Sequence, residues 1–285
     1  MSEDSRVKVW SYSRLTSLSS CSKKYQFKYI DRLDLEFKGF NLIRGNLVHE
    51  IVQNALSVLP ADITDEYIKK AIFLNCTVED LADHDIEKDI ADIRKAGELL
   101  AAEVKKIALE KLGENPELKV EENIKFEVKK KNGQVGGIMT TYLDIHLWKG
   151  KKHVVIELKT TAKTPSGGEA SLSHQKQAII YNEGLKSLYG EYAESLDYFI
   201  IYAVILKKEI KILPIKIDFA SFAFYDDVIT ELWNLIRTAN ELEQTNSFAC
   251  ALSDQICSWC DFRHLCLEGK SDGLKQKEEF KKENS

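Results

Sequence analysis

Five strand-like segments between residues 117 and 218, interrupted by a single helical segment, constrain the fold of this chain more than any other feature. These segments are rich in β-branched and aromatic residues and read ELKVEENIKFEVKK, VGGIMTTYLDIHLW, KHVVIELKTT, LDYFIIYAVIL and EIKILPIKID. Asn132-Gly133 and Lys149-Gly150 separate the first three and are typical of hairpin turns. The helical segment, from about His174 to Tyr189, follows the third strand. This order predicts an α/β fold with a mixed central sheet flanked by helices.

The segments on either side of the strands are predicted to be mainly helical. Amphipathic periodicity indicates helices over Arg44–Leu59, Asp65–Asn75 and His84–Leu112 before the strands, and over Phe219–Glu243 after them. The end of the chain, GLKQKEEFKKENS, is charged and nearly free of apolar residues, which favours disorder. The predicted organisation is therefore a helical region over 1–117, an α/β core over 118–245, a cysteine-containing segment over 246–268 and a disordered tail over 269–285.

The charge balance excludes binding of nucleic acid through bulk charge. Lys and Arg number 40 against 45 Asp and Glu, which gives a net charge of −5, so any nucleic-acid site must be local. Local basic candidates near the start are Lys23, Lys24 and Lys28, although each could be an ordinary solvated face. The N-terminus has no signal-like pattern and no apolar run reaches about 18 residues. We therefore expect a soluble cytoplasmic protein with no membrane partner.

Two carboxylates and a lysine occupy the second and third predicted strands. Glu157 and Lys159 are two positions apart on a strand and so share one face, and a hairpin around Lys149-Gly150 brings Asp144 opposite Glu157. Two carboxylates suit Mg²⁺ or Mn²⁺, and a neighbouring lysine suits the charge that develops in phosphodiester hydrolysis. The alternative is an exposed strand with an ordinary Glu-x-Lys pair. The apolar residues around Glu157 argue against exposure.

Cysteines form a second constellation. Cys257 and Cys260 stand in a C-x₂-C spacing, Cys266 follows, and Cys21 lies near the N-terminus. Because a cytoplasmic compartment keeps thiols reduced, a metal site is a better interpretation of these residues than a disulfide framework. Zinc, a redox pair and chance all remain compatible with C-x₂-C alone. The remaining two cysteines, Cys76 and Cys250, fit no motif and are predicted to be small buried residues.

Taken in order along the chain, these motifs resemble one known family. GNLVHE around His49, the strand of Asp144, the E-L-K of Glu157 to Lys159 and the QAIIY that joins Gln177 to Tyr181 resemble the motifs of RecB-like PD-(D/E)XK nucleases. The opening SYSRLTSLSSCSKKYQFKYI also resembles the N-terminal segment of that family. The resemblance extends from Ser11 to Cys266, and its specificity lies in the joint order.

The resemblance implies a restriction-endonuclease-like core and a metal-dependent DNA exonuclease. Its metal ligands would be His49, Asp144 and Glu157, with the Leu158 carbonyl as a further ligand, and Lys159 would be the catalytic lysine. Gln177 and Tyr181 lie one helical turn apart and would contact the active site or the substrate. Gln175 competes for the glutamine position, and Tyr181 could equally belong to a helix packing surface.

The cysteine pattern resembles one branch of that family, which includes AddB and CRISPR-associated four-cysteine nucleases. The resemblance implies a [4Fe-4S] cluster held by Cys21, Cys257, Cys260 and Cys266, in preference to structural zinc. His264, inside the cysteine segment, is interpreted as a bystander.

The function implied is hydrolysis of single-stranded DNA or DNA ends. The implied settings are CRISPR adaptation, recombination or repair, and phage DNA metabolism, with proteins of those pathways as possible partners. Lys23, Lys24 and Lys28, with Tyr25, Phe27 and Tyr29, could line a DNA channel, although at least half of these aromatics are expected in the core. The alternative is a non-catalytic DNA-binding or scaffold module stapled by an iron-sulfur cluster or zinc.

Overall fold

The structure is a computed structural model that describes residues 8–57, 63–130, 132–166, 169–190 and 196–276. Two compact units divide the chain. The first, here called the sheet unit, comprises Lys38–Glu127 and Met139–Ile229. The second, here called the cysteine unit, comprises Met1–Phe37, Val128–Ile138 and Thr230–Ser285.

The sheet unit begins with helices that form at well-capped starts. Thr64, Thr77 and Asp85 accept hydrogen bonds from backbone N–H groups in the first turns of the helices that directly follow them. The helices are α3 (Phe40–Leu56), α4 (Asp65–Asn75), α5 (Val78–Leu81) and α6 (Ile86–Leu112). The three long helices lie close to the predicted segments, and α6 ends at Gly113.

Packing between α3 and α6 fixes the position of α3. Gly97 on α6 leaves no room for a side chain, because a Cβ there would lie 2.5 Å from Ile51 on α3. The two helices pack with apolar faces on the sheet. The shared core includes Val48, Ile51, Val52, Leu100, Val104, Ile156, Leu158, Phe199 and Ile201.

The strands are β3 (Glu117–Lys129), β4 (Val135–Lys149), β5 (Lys152–Thr161), β6 (Leu196–Ile205) and β7 (Ile210–Ile217). In the described chain they form one mixed sheet with β1 (Val9–Trp10), in the order β1-β4-β5-β6-β7, and β3 also pairs with β4. β4 and β5 are antiparallel around the predicted turn, where Gly150 has a φ of 60°. β5 and β6 are parallel, and β6 and β7 antiparallel.

Between β5 and β6 runs α7 (Leu172–Tyr189), which makes the parallel crossover possible. Ser171 caps its start by accepting a hydrogen bond from the backbone N–H of His174. The last long helix is α8 (Tyr225–Thr245). It begins later than the predicted Phe219, because Phe219–Ser221 form a 3₁₀ turn whose start is capped by Asp218.

The cysteine unit consists mainly of short elements. These are α1 (Tyr12–Ser20), α2 (Ser22–Tyr25), a π-helix (Gln26–Ile30), β2 (Leu33–Leu35), α9 (Asp254–Ser258), α10 (Arg263–Glu268) and β8 (Leu274–Gln276). Glu243 joins the N-terminal part to α8 by accepting from Arg14 at 3.2 Å and from Lys8 and Tyr25.

The α/β fold with a mixed sheet flanked by helices is confirmed. Two short strands, β1 and β2, also occur in the region predicted to be mainly helical. Leu274–Gln276 form β8, antiparallel to β2, within the tail for which the composition predicts disorder. Residues 277–285 of that tail lie outside the described residues. No helix among the described residues combines the length and apolar character needed to cross a membrane.

Candidate active site and cysteine cluster

The β4–β5 hairpin brings Asp144 and Glu157 together. Its register pairs Ile145 with Ile156, so Asp144 and Glu157 occupy the next positions along the two strands. Asp144 Oδ2 accepts a hydrogen bond from the backbone N–H of Leu158 at 2.7 Å. Glu157 is only 3% exposed. The two carboxyl groups are therefore neighbours on one face of the sheet, with Glu157 buried and Asp144 partly buried.

Lys159 and Gln177 hold the Glu157 carboxylate. Lys159 forms an ion pair with Glu157 Oε1, as expected for residues two positions apart on a strand. Gln177 Nε2 lies 2.8 Å from the same Oε1 and 2.7 Å from the Tyr181 hydroxyl. Gln175 instead donates to the backbone carbonyl of Ala170 at 2.7 Å. It is thus Gln177, and not the competing Gln175, that lies with Tyr181 at the carboxylates.

His49 reaches the same place from α3. Its Nδ1 lies 3.8 Å from Asp144 Oδ2, and it also hydrogen-bonds to the backbone of Leu158. Burial lowers the pKa of His49, which favours the neutral imidazole that metal coordination requires. The predicted residues of three separate motifs therefore meet within the sheet unit.

Burial dominates the electrostatics of the carboxylate pair. It raises the pKa of Asp144 to about 6, although the Leu158 N–H and Lys159 act in the opposite direction. Burial, followed by the negative charge of Asp144, raises the pKa of Glu157 to about 7. Two adjacent buried carboxylates with one lysine carry more negative charge than they can balance when both ionise. A divalent cation would remove that imbalance.

The donor atoms fit such a cation in chemistry. Glu157 Oε2 is buried and has no hydrogen-bond partner in the described part of the chain. Carboxylate and carbonyl oxygens are the ligands preferred by Mg²⁺ and Mn²⁺. No three His, Cys, Asp or Glu side chains among the described residues already stand around a common metal position. The fit therefore rests on the carboxylate pair and on the unpartnered oxygen of Glu157.

One residue next to this site was not predicted from the sequence. His174 lies on α7 three residues before Gln177, and its Nδ1 lies 2.6 Å from the hydroxyl of Tyr202 on β6. Tyr202 is the register partner of Lys159 in the parallel β5–β6 pair. The spacing of one helical turn from Gln177 was the sequence signal that could have identified His174. The contact with Tyr202 could not be predicted, because it depends on how α7 connects β5 to β6.

The cysteine unit gathers five thiols around one cavity. Its lining includes Cys21, Cys250, Cys257, Cys260 and Cys266. The prediction that Cys250 is a buried residue is wrong, because its side chain is half-buried, and its Sγ lies 2.8 Å from Cys266 Sγ. Cys76, by contrast, is 5% exposed and belongs to the core of the sheet unit, as predicted. None of the six cysteines forms a disulfide within the described residues.

The cavity is small and partly apolar. Its volume is about 20 Å³, close to the space that one buried water needs. Phe27 and Phe262 line it and pack on each other with ring centroids 5.6 Å apart. Among the described residues no three of these thiols already surround a common metal position, so the thiols must move to hold either a single ion or a cluster. His264, the predicted bystander, is exposed and pairs with Glu268 at 3.2 Å.

The three N-terminal lysines have different surroundings. Lys24 lines the cysteine cavity and lies 3.6 Å from Asp261, whereas Lys23 donates to Gln26 at 2.8 Å. Lys28 lies over the ring of Tyr29. Tyr25 and Phe27 are buried, so two of the three candidate stacking aromatics belong to the core.

The described residues form an α/β fold in which a β-hairpin places Asp144 opposite Glu157 of a Glu-x-Lys strand. The family model of the PD-(D/E)XK nuclease superfamily matches residues 9–267, so the chain belongs to that superfamily.

Comparison with solved structures agrees on the fold. The crystal structure of a protein named Putative exonuclease, from Eubacterium rectale, is 13% identical, with a TM-score of 0.53 and coverage of 88% of each chain. A second structure, SSO0001, is 17% identical and covers 79% of this chain and 96% of that one, with a TM-score of 0.33, which is too low to indicate a shared fold. None of the curated proteins matches this sequence.

Proposed function

We propose that this protein is a metal-dependent exonuclease that hydrolyses DNA phosphodiester bonds. The observation that carries the proposal is the Asp144–Glu157 pair beside Lys159, in which one buried oxygen of Glu157 lacks a partner among the described residues. A buried group left without a partner is costly, and a functional ligand accounts for it. Membership of a nuclease superfamily and the likeness in fold to a protein named as an exonuclease support the reaction class.

The residues of the site have different proposed roles. Asp144 and Glu157 would hold Mg²⁺ or Mn²⁺, with His49 and the Leu158 carbonyl as further ligands. A bound divalent ion supplies Lewis acidity and a more acidic bound water. Lys159, which forms an ion pair with Glu157, would stabilise negative charge on the phosphate. Gln177, steadied by Tyr181, orients Glu157.

Single-stranded DNA or DNA ends are the substrate we propose. The net charge of −5 requires local contacts to the DNA backbone, and Lys23, Lys24 and Lys28 are the candidates for them. Partners would then be proteins of CRISPR adaptation, recombination or repair, or phage DNA metabolism. The pairing of Lys24 with Asp261 makes it the weakest of the three candidates.

The cysteines form the second part of the proposal. Cys21, Cys257, Cys260 and Cys266 would hold a [4Fe-4S] cluster, for which four thiolates are the usual ligands. A single structural zinc ion held by the same thiolates is the second candidate. Either metal would tie the N-terminal helices to the segment that follows α8.

Activity is tested with end-labelled DNA. Wild-type protein with Mn²⁺ should degrade single-stranded DNA labelled at the 5′ or the 3′ end, and EDTA should stop degradation. Glu157→Ala should lower the rate by about a hundredfold to a thousandfold, the order of loss seen when a main stabiliser of transition-state charge is removed. Glu117→Ala, at the exposed start of β3, is the matched carboxylate control and should retain the wild-type rate.

Two results would contradict this proposal. Degradation that persists in Glu157→Ala would exclude the assigned site. DNA binding without any degradation by wild-type protein would favour the alternative, a non-catalytic DNA-binding or scaffold module.

The metal in the cysteine unit is tested by anaerobic purification and elemental analysis. A brown protein with about four iron atoms and acid-labile sulfide per chain is expected for a [4Fe-4S] cluster. A colourless protein with one zinc would support the second candidate. Protein free of both metals would exclude both.

A further inference from the structure

His174 lies on the face of α7 that carries the active site. It precedes Gln177 by three residues, and residues at this spacing are neighbours on a helix surface. Gln177 in turn contacts Glu157 at 2.8 Å. His174 is half-buried and stands near the positive charge of Lys159.

Tyr202 determines which nitrogen of His174 carries the proton. The backbone and side chain of Ser171 act on the pKa of Tyr202 in the lowering direction, as donors to the phenol oxygen do, so the phenol's own proton remains for another partner. That partner is His174 Nδ1, at 2.6 Å. Burial raises the pKa of Tyr202, which keeps the phenol protonated. Nδ1 is therefore an acceptor, and in the neutral ring the proton is on Nε2.

The Nε2–H group is a donor that remains free. It has no hydrogen-bond partner among the described residues, and it is not one of their buried unpartnered atoms, so solvent reaches it. Burial, and then Lys159, lower the pKa of His174 to about 4, so the ring is neutral at neutral pH. A neutral ring whose Nδ1 is occupied and whose Nε2 bears a proton has no lone pair with which to activate water.

The surroundings of this donor favour an anion. Lys159 is positive, and the start of α7, an 18-residue helix, contributes its positive dipole end. Phosphate oxygens are the groups on DNA that side-chain N–H donors contact without regard to sequence.

We propose that His174 is a substrate-binding residue that donates its Nε2–H to a phosphate oxygen of the bound DNA strand, with Tyr202 as the positioning residue that fixes its tautomer. This inference rests on the proposed nuclease function. It assigns to the site a neutral phosphate contact, distinct from the charged contact of Lys159.

The test measures binding of labelled single-stranded DNA in EDTA over a range of salt concentrations, together with KM and kcat in Mn²⁺. His174→Ala should weaken binding and raise KM by about tenfold, the value of one hydrogen bond to a charged group, with kcat much less affected. The slope of log affinity against log salt should not change, because a neutral donor releases no counterion. A residue with only a structural role would not produce this combination.

Companion variants keep the test decisive if His174→Ala is poorly folded. His174→Gln retains an N–H donor and should recover part of the affinity, and Tyr202→Phe should weaken binding by less than His174→Ala. His264→Ala, which removes an exposed histidine, is the matched control and should bind as wild type does.

Three outcomes separate this inference from the proposed function. If wild-type protein neither binds nor cuts DNA, both fail. If wild-type protein cuts DNA while His174→Ala binds within twofold of it, only the role of His174 is overturned. A salt slope reduced by about one unit in His174→Ala would also overturn it, since that result identifies a charged contact.

Discussion

The carboxylate site and the cysteine cluster are built in opposite ways. Asp144 and Glu157 stand on long strands, and His49 and Gln177 on long helices, and both strands and α3 contribute side chains to one core. The five thiols instead come from short helices and the turns next to them. Neither α9 nor α10 has a buried residue of its own. Phe262, 2% exposed, lies between these two helices and is the buried apolar side chain nearest the C-x₂-C pair in sequence.

This difference indicates which interactions stabilise each of the two regions. The register of β4 and β5 and the packing of α3 fix the carboxylates whether or not a cation is bound. The segment around Cys257 buries little apolar surface, and small segments of this kind usually depend on a metal or a cross-link. We therefore expect the cysteine segment to depend on its metal for folding, and the carboxylate site to form without one.

Removal of one cysteine gives the largest effect and can break this comparison. Cys257→Ser should lose most of the bound iron or zinc, because one of the proposed ligands is gone. Without metal, the segment from Asn246 to Gln276 should open, and limited proteolysis followed by mass spectrometry should find cleavage there. The melting temperature should fall by several degrees, since a structural metal contributes folding free energy directly.

Cys76→Ala is the matched control for that experiment. Cys76 is a buried residue of the sheet unit, so its replacement should leave the metal content unchanged. Wild-type metal content and wild-type protease resistance in Cys257→Ser would mean that the cysteine segment folds on its own, and the comparison drawn above would be wrong.

Asp144→Asn tests the carboxylate site, which we expect to form without a cation but with a loss of folding free energy. Burial raises the pKa of Asp144 from 3.8 to about 6, so the folded state binds more protons than the unfolded state between about pH 4 and pH 6. The stability of wild type therefore falls as pH rises through this window, by up to about 2–3 kcal/mol. Above it the full penalty remains unless a cation compensates.

The neutral amide removes that penalty. In EDTA at pH 8, Asp144→Asn should be more stable than wild type by about 2 kcal/mol in urea unfolding, and the difference should shrink as pH falls toward 4. Mn²⁺ should then stabilise wild type more than the variant. Lower stability of Asp144→Asn at pH 8 would mean that the ionised carboxylate is well compensated by the protein itself.

The contrast also explains what the sequence could predict. Strand spacing alone placed Glu157 and Lys159 on one face, and the turn at Lys149-Gly150 set the hairpin that brings Asp144 to them. The bounds of β5 and α4 match the predicted segments because each is delimited by strong local signals, such as the Thr64 cap. The geometry of regular helices and strands can therefore be predicted from their own sequences.

Cys250 and His174 lie beyond what such patterns contain. Cys250 joins the cluster through the path of an irregular loop, for which no periodicity exists. The hydrogen bond between His174 and Tyr202 joins residues 28 positions apart and depends on how α7 crosses from β5 to β6. The choice between Gln175 and Gln177 depended on helix orientation as well, since both precede Tyr181.

The smallest effect sharpens the description of the carboxylate site by comparing those two glutamines. Gln177→Ala removes a hydrogen bond at 2.8 Å to Glu157 Oε1, whereas Gln175→Ala removes one at 2.7 Å to the Ala170 carbonyl, at the start of α7. A hydrogen bond to a buried charged group is worth about 1.5–3 kcal/mol, so Gln177→Ala should lower kcat/KM for DNA by at least about tenfold. Gln175→Ala should stay within about twofold of wild type, because its hydrogen bond holds the helix start and not a reacting group. Equal losses of kcat/KM in the two variants would indicate a general disturbance of α7. A loss confined to Gln175→Ala would mean that the hydrogen bond at the helix start, and not the one to Glu157, is the contact on which activity depends.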